Sequence, residues 1–329
     1  TEENYFFKLS NYQSEIENLI SQDTIKIVPN SRKNEVFSFV KKGLMDISIS
    51  RSNERAKNWG VPVPHDNTQR MYVWFDALNI YQSGVGFGTD ESVYKKNWPA
   101  DVHVIGKGII RFHAVYWPAF LLSAKLELPK LLFVHGYFTV DGQKMSKTLG
   151  NVVDPNEIIH KYGTDALRYY LLSQIPSTGD GDFSETRLKE VYNSDLANGL
   201  GNLVARVSKL CEKVNLISEF TPRTFSDNVK TSLEEFNFNK ALEHIWDEIK
   251  KSDKFINEEK PWEKDGEKLK TILSALSVTI AQIAFDLQPF LPKTAEKILK
   301  QFTSEKIISS QPLFPRLSYK SPGIFRGFF

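Results

Sequence analysis

The chain has 329 residues, 41% of them apolar and 25% charged, a balance that excludes a wholly disordered chain and suits a folded protein with sizeable cores. Its formal net charge of +2 excludes a global electrostatic field as the means of holding a polyanion, so such a partner has to be met by local patches. The single cysteine, Cys211, excludes an internal disulfide framework and a zinc site built on a cysteine pair, and no run approaches the ~18 uninterrupted apolar residues of a membrane span.

In chain order, the opening TEENYFFKLSNYQSEIENLI reads as an aromatic-anchored helix rather than a leader, and no secretory signal is expected. The first methionine is Met45, inside structured-looking sequence, so the chain is expected to be a segment of something longer. From about 68 to 175, apolar strand candidates alternate with helical stretches. RMYVWFDAL (70–78) is a strand candidate rich in aromatics, and DVHVIG (101–106) is another. IIRFHAVYWPAFLLSAKLEL (109–128) has helical spacing despite Pro118, LLFVHGYFTV (131–140) reads as a strand, and DPNEIIHKYGTDALRYYLLSQI (154–175) as two helices punctuated by Gly163. Such alternation argues βαβ units and a parallel sheet. After the boundary at 176–181 the text is helix after helix to about 302, with apolar positions recurring at three and four, as in a packed bundle. The end, SPGIFRGFF, is read as a tail.

Ligands of open α/β sheets bind at the carboxyl ends of the strands, which here would place the end of YVWFDAL, the loop IGKG and the loop QKMSKT on one rim. The last carries Lys144 and Lys147, a pair suited to a polyphosphate on a loop that closes and relaxes. It is not a Walker A loop, and composition alone favours a solvated surface turn. Trp74, Ala77, Tyr81, Phe112, His113 and Trp117 read, by spacing alone, as core. Asn202 and Arg206, four apart, share a helix face, and Trp262 follows Pro261 in EEKPW. On residues alone these are a solvated Arg, a helix-face Asn and a Trp filling a groove.

The stretch QKMSKTLGNVVDP resembles the KMSKS signature of class I aminoacyl-tRNA synthetases. In consistent order, YVWFDALNIY, HVIGKGIIRFHAVYWPAFLL, FVHGYFTVDGQKMSKTLGNVVDP, YGTDALRYYLL, NSDLANGLGNLVAR, EEKPW and PLFPRL resemble the methionyl-tRNA synthetases, a likeness running from EENYFF to about residue 316. The resemblance implies an α/β second half of a Rossmann-like catalytic domain over 1–175, an all-α anticodon-binding bundle over 176–316, and a tail over 317–329. It implies activation of methionine by ATP, with Mg2+, to methionyl-adenylate, then transfer to tRNA(Met). Lys144, Ser146 and Lys147 would be catalytic, with Thr148 standing in for the usual serine. Gly106, His135 and Phe138 would join the two lysines at ATP. Trp74, Ala77, Tyr81, Phe112, His113 and Trp117 would wrap the methionine side chain, selecting a thioether by shape and by sulfur–aromatic contacts of ~0.3–1.5 kcal/mol each. Asn202, Arg206 and Trp262 would read the anticodon, an aromatic platform and donors for a splayed base.

Two departures stand out. The family usually reads GKD where this chain has Gly106-Lys107-Gly108, so the carboxylate that helps hold the substrate ammonium or the nucleotide is gone; Asp76 or another carboxylate compensates, or activity is weakened, or the residue is a sequence change. The HIGH-type signature and the cysteine knuckles, which in the family precede EENYFF, are not in this chain, so the segment alone is expected not to make adenylate, and no zinc site and no other metal site is expected in it. A monomer without membrane attachment is expected, in a bacterial cytoplasm or alternatively a mitochondrial matrix. The rivals are a synthetase for leucine, isoleucine or valine, and a non-catalytic tRNA-binding factor derived from a synthetase.

Overall fold

The computed structural model describes residues 3–217 and 220–317; apart from Leu317, the expected tail lies outside them. The chain divides into two compact units, 1–137 and 138–329. This division by compactness differs from the boundary at 175/176 drawn from the sequence, because the two helices on either side of Gly163 bury Ile158, Ala166, Tyr169 and Tyr170 in the same core as the helices that follow.

The first unit runs, in order, β1 (Phe6–Phe7), α1 (Gln13–Ser21), β2 (Lys26–Val28), α2 (Asn30–Val40), β3 (Ile47–Ser48), β4 (Ser50–Ser52), α3 (Asn53–Ala56), β5 (Pro62–Val63), β6 (Asp66–Met71), α4 (Val73–Ala77), α5 (Ile80–Ser83), α6 (Glu91–Asn97), β7 (His103–Gly106), α7 (Trp117–Ser123) and β8 (Leu131–His135). Its centre is a parallel sheet in the order β2-β8-β7. Position in the sheet explains the sequence of each strand. β8 is flanked on both sides and buries Leu132, Phe133 and Val134 in succession. β7 is an edge, burying His103 and Ile105 while Val104 faces outward at 65% exposure. Ile16 and Ile20 of α1, Val36 and Val40 of α2 and Ala114 and Val115 ahead of α7 cover the sheet. β4, β6 and β5 form a separate antiparallel sheet.

The strand expected over 70–78 is corrected. β6 stops at Met71, and the aromatic stretch turns at Tyr72 into α4 and α5. Trp74, Ala77, Leu78 and Tyr81 lie at i, i+3, i+4 and i+7, a helical spacing that outweighs the β propensity of the individual rings. LLFVHGYFTV is likewise not one strand. It breaks at Gly136–Tyr137, and its halves pair in different sheets. The carboxyl rim of the parallel sheet therefore carries the IGKG loop and the turn after His135, and neither the aromatic stretch nor the lysine loop follows a strand of that sheet.

The second unit starts with β9 (Phe138–Val140) and β10 (Gln143–Lys144), an antiparallel hairpin, and continues through α8 (Pro155–Tyr162) and α9 (Thr164–Gln174) to β11 (Gly181–Phe183), parallel to β9. Gly163, with φ of +89°, breaks α8 from α9 at a dihedral that side chains disfavour. Then come α10 (Glu185–Val191), a π-helical stretch Tyr192–Gly201, α11 (Asn202–Lys213), α12 (Asp227–Glu234), α13 (Phe238–Glu259), α14 (Gly266–Asp286) and α15 (Pro292–Phe302). Buried Asp165 of α9 accepts from the backbone N–H and the hydroxyl of Thr294, both at 2.7 Å, satisfying the N-terminus of α15. α14 is long and apolar enough to cross a bilayer by length and composition, yet Ile272, Leu273, Leu276, Ile280 and Ala284 make it the core helix of this bundle.

Candidate active site and RNA-reading face

In the first unit, α4 and α5 present Trp74 and Tyr81, and a π-helical turn, Phe112–Tyr116, supplies Phe112 and His113 directly ahead of α7. A π turn is rare in a helix and often marks a functional position. Trp74 stacks on Phe112 with centroids 4.2 Å apart and planes 15° apart, and meets His113 edge-on at 6.2 Å. Trp117 is fully buried beneath Tyr81, 6.4 Å away, and packs with Leu78, Trp98 and Leu121. Ala77 is exposed. Five of the six side chains singled out for the substrate thus share one aromatic cluster.

The hydrogen bonds of this cluster fix a tautomer. His113 Nδ1 lies 2.9 Å from the Ile109 carbonyl, which can only accept, so Nδ1 carries the proton. Nε2 is then the acceptor, and the Tyr81 hydroxyl, 2.8 Å away, donates to it. Burial lowers the pKa of His113, against a smaller rise from the Ile109 bond. The result is a neutral, hydrogen-bonded pair that sits among the stacked rings without putting a charge there.

Sequence reasoning missed His103. It lies on the inner face of β7, its ring 4.3 Å from that of Tyr81, and burial together with neighbouring His113 pushes its pKa down to about 4. The signal was available: in HVI the first and third residues of an edge strand share the buried face. Asp76, the candidate compensating carboxylate, lines a cleft with Arg51, Trp59 and Tyr72.

At the carboxyl rim of the parallel sheet, Gly106 pairs in register with His135. A methyl group on Gly106 would meet His135 Cε1 at 3.5 Å, ordinary contact, so the imidazole lies directly over this backbone. His135 Nδ1 donates to the Gly136 carbonyl at 2.8 Å.

In the second unit, Phe138 is 41% exposed on β9, and Lys144 ends β10. The loop that follows is held by one residue whose role was not read from the sequence. The Asn151 side chain accepts from Ser146 N–H at 2.8 Å and donates to the Lys144 carbonyl at 3.1 Å. Ser146 Oγ accepts from Thr148 N–H at 3.2 Å, and Gly150 closes the turn with φ of +67°. Lys144 and Lys147 are both exposed, and neither has a carboxylate partner among the described residues. An Asn that mimics backbone in a turn is a known signal, here placed right after Gly150.

On the helices, Arg206 of α11 donates from Nη1 to Asp253 at 3.1 Å and from Nη2 to Asn257 at 2.8 Å. Its guanidinium lies 5.6 Å from the ring centroid of Trp262, which is half exposed in the turn Pro261–Glu263. Asn202 is one turn before Arg206 on the same helix. Asp253 and Asn257, four apart on α13, are partners that sequence reasoning did not name. The arrangement is a cation held over a half-exposed indole, which suits stacking of a planar ring. Among the described residues no group of three or more His, Cys, Asp or Glu side chains converges as a metal set.

Comparison with known proteins identifies the family. Residues 1–208 match the family described as tRNA synthetases class I (M), and residues 223–324 the anticodon-binding domain of tRNA ligases. Methionine–tRNA ligase of Clostridium acetobutylicum is 42% identical over 325 residues, covering 92% of this chain and 50% of that protein. The Rickettsia felis enzyme is 39% identical, covering 93% and 63%. The solved structure of Mycobacterium tuberculosis methionyl-tRNA synthetase in complex with methionyl-adenylate matches 96% of this chain and 69% of its own, with a TM-score of 0.85 and 36% identity. The chain spans half to about two thirds of the length of these curated relatives. With its first 208 residues matched by one family and 96% of its length by a solved relative, the chain belongs to the methionyl class I aminoacyl-tRNA synthetases.

Proposed function

We propose that the protein to which this chain belongs activates methionine with ATP and transfers the methionyl group to tRNA(Met). In the first step a carboxylate oxygen of methionine attacks the α-phosphorus, the bond to the bridging oxygen breaks, and pyrophosphate leaves. In the second, a hydroxyl of the terminal adenosine attacks the methionyl carbonyl and AMP leaves. Such chemistry asks the protein chiefly for positioning and charge stabilisation. The aromatic cluster supplies the first for a thioether side chain. Lys144 and Lys147, exposed and unpaired by carboxylates among the described residues, supply the second to the triphosphate, where one well-aimed charge contributes about 3 kcal/mol.

The observation that carries this reading is the neutral Tyr81–His113 pair set against stacked Trp74 and Phe112, an aromatic cluster that rewards dispersion and rejects charge. The test is a titration of the 329-residue chain with methionine, followed by tryptophan fluorescence, together with ATP–pyrophosphate exchange. We expect saturable quenching by methionine and not by leucine or isoleucine. Exchange is expected from the whole protein and not from this chain alone. Quenching indifferent to the amino acid overturns the assignment of the pocket.

A further inference from the structure

Three residues from three strands lie abreast in the small sheet β10-β9-β11. Lys144 pairs in register with Thr139, and Thr139 pairs on its other side with Asp182. Residues directly opposite one another in a sheet project from the same face, so the lysine and the aspartate flank one threonine on one surface. Two strand spacings, about 10 Å, separate the backbones of Lys144 and Asp182, a gap the two side chains can bridge when they stretch toward each other. That ion pair is not made, and Lys144 has no carboxylate partner among the described residues. The carboxylate is engaged elsewhere. Asp182 Oδ1 accepts from Thr139 Oγ1 at 2.5 Å and from the Gly142 backbone N–H at 2.8 Å. Gly142 belongs to the two-residue turn between β9 and β10, where Asp141 and Gly142 take φ of +47° and +76°, the sense of turn that fits a twisted hairpin.

We propose that Thr139 and Asp182 are positioning residues for the lysine loop: the threonine hydroxyl and the turn amide latch a counter-charge on the same face of the sheet, leaving the Lys144 ammonium for a polyphosphate. The role of Lys144 at a triphosphate rests on the proposed function, whereas the latch does not. Its physical basis is competition for one carboxylate. Two donors meet on Oδ1 and fix the group against the hairpin turn, and hydrogen bonds to an ionised acceptor are the strong ones. An exposed lysine offers less, because it gives up side-chain freedom for an attraction that water and salt screen. Lys147 lies beyond the end of β10, outside this row, and serves as the internal reference.

The latch is tested on the 329-residue chain by acylating lysines with a limiting amount of acetic anhydride and reading Lys144 against Lys147 by mass spectrometry. Thr139→Val keeps the branched shape that suits a strand and removes the donor. It should slow acylation of Lys144 relative to Lys147 about two- to fivefold, the range set by an exposed ion pair. Thr139→Val with Asp182→Asn should restore the wild-type ratio. Asp182→Asn alone should leave the ratio there, since its amide oxygen still accepts both bonds. A ratio unmoved by Thr139→Val overturns the latch. So does slowing that persists in the double variant, the mark of a loosened hairpin rather than a freed carboxylate. Faster acylation of Lys144 in Asp182→Asn alone overturns it too, because the pair would then exist already. In ATP–pyrophosphate exchange by the whole protein, Thr139→Val should raise KM for ATP about two- to fivefold, leave KM for methionine unchanged, and be rescued by Asp182→Asn. A shifted acylation ratio with KM for ATP unchanged keeps the latch and overturns the assignment of Lys144 to the triphosphate.

Discussion

The ring of Tyr81 rests on the imidazole of His103, 4.3 Å between centroids at 60°. His103 is 4% exposed with a pKa pushed down to about 4, chiefly by burial. The unfolded chain therefore takes up a proton near pH 6.5 that the folded chain refuses. Its contribution to stability is complete above that pH and is lost as pH falls toward 4. At pH 5 the loss relative to pH 8 is about 2 kcal/mol. Urea unfolding at the two pH values, for wild type and His103→Gln, isolates this contribution from the carboxylates. The wild type should lose about 2 kcal/mol more than the variant on acidification. Parallel losses would show that this imidazole is not the titrating group.

Tyr81→Phe removes the donor to His113 Nε2 and leaves a fully buried acceptor without it. An unsatisfied buried acceptor costs ~1–3 kcal/mol, so the variant should unfold at lower urea with an unchanged denaturant slope. Methionine affinity should fall as well, since the neutral tautomer of His113 is fixed from both sides. Unaltered stability would mean that the ring nitrogen finds another donor.

How much of this was legible in the sequence depends on how local each determinant is. The edge strand at 103–106, the paired helices around Gly163 and the helical bundle were readable because period and punctuation lie within one segment. The aromatic stretch 70–78 was misread as a strand, since strings of aromatic and branched residues favour strands as propensities while their spacing favoured a helix. β2 was missed because three residues are too short to show a period. The resemblance named Trp74, Tyr81, His113, Arg206 and Trp262. It did not supply Asp253 or Asn257, because a partner across a fold leaves no mark beside the residue it holds; Asn151 and His103 carried local signals, a turn Asn after Gly150 and strand alternation, that went unread. Gly108 is the sharpest case. In the sequence it is a missing carboxylate, and only the structure shows the hydroxyl of a tyrosine from 29 positions later 1.8 Å from where a Cβ on it would lie.

Asn151→Ala should loosen the lysine loop without unfolding the chain. Its side chain makes two bonds, to Ser146 N–H and the Lys144 carbonyl, and the residues it ties are largely exposed. Each such neutral bond is worth about 1 kcal/mol net, a loss borne by the loop alone. The expected outcome is faster amide exchange at Ser146 and Thr148, protease nicking near Lys147, and an unshifted melting transition. Triphosphate affinity should drop with it. A uniform rise in exchange across the second unit would instead make Asn151 a general stabiliser.

The anticodon reading turns on Arg206, whose guanidinium is braced by Asp253 and Asn257 beside the face of Trp262. The ion pair is partly solvated, with side chains 30% and 38% exposed, so its direct worth to stability is below about 1 kcal/mol. Asp253→Ala should therefore leave the melting temperature nearly unchanged while freeing the guanidinium to swing from the indole. Trp262→Ala removes the platform itself, and because that ring is half exposed it too should cost little stability. A base stacked on an aromatic side chain is worth ~1–3 kcal/mol, so Trp262→Ala should weaken a CAU-anticodon stem-loop by about ten- to a hundredfold. Asp253→Ala should weaken it less, and the double variant no more than Trp262→Ala alone, since a positioned cation has no role once the stacked base is gone. Fluorescence anisotropy with CAU and scrambled loops measures all three. Equal weakening for both loops would reduce Arg206 to a phosphate contact, and a large melting shift with binding intact would make Trp262 a packing residue.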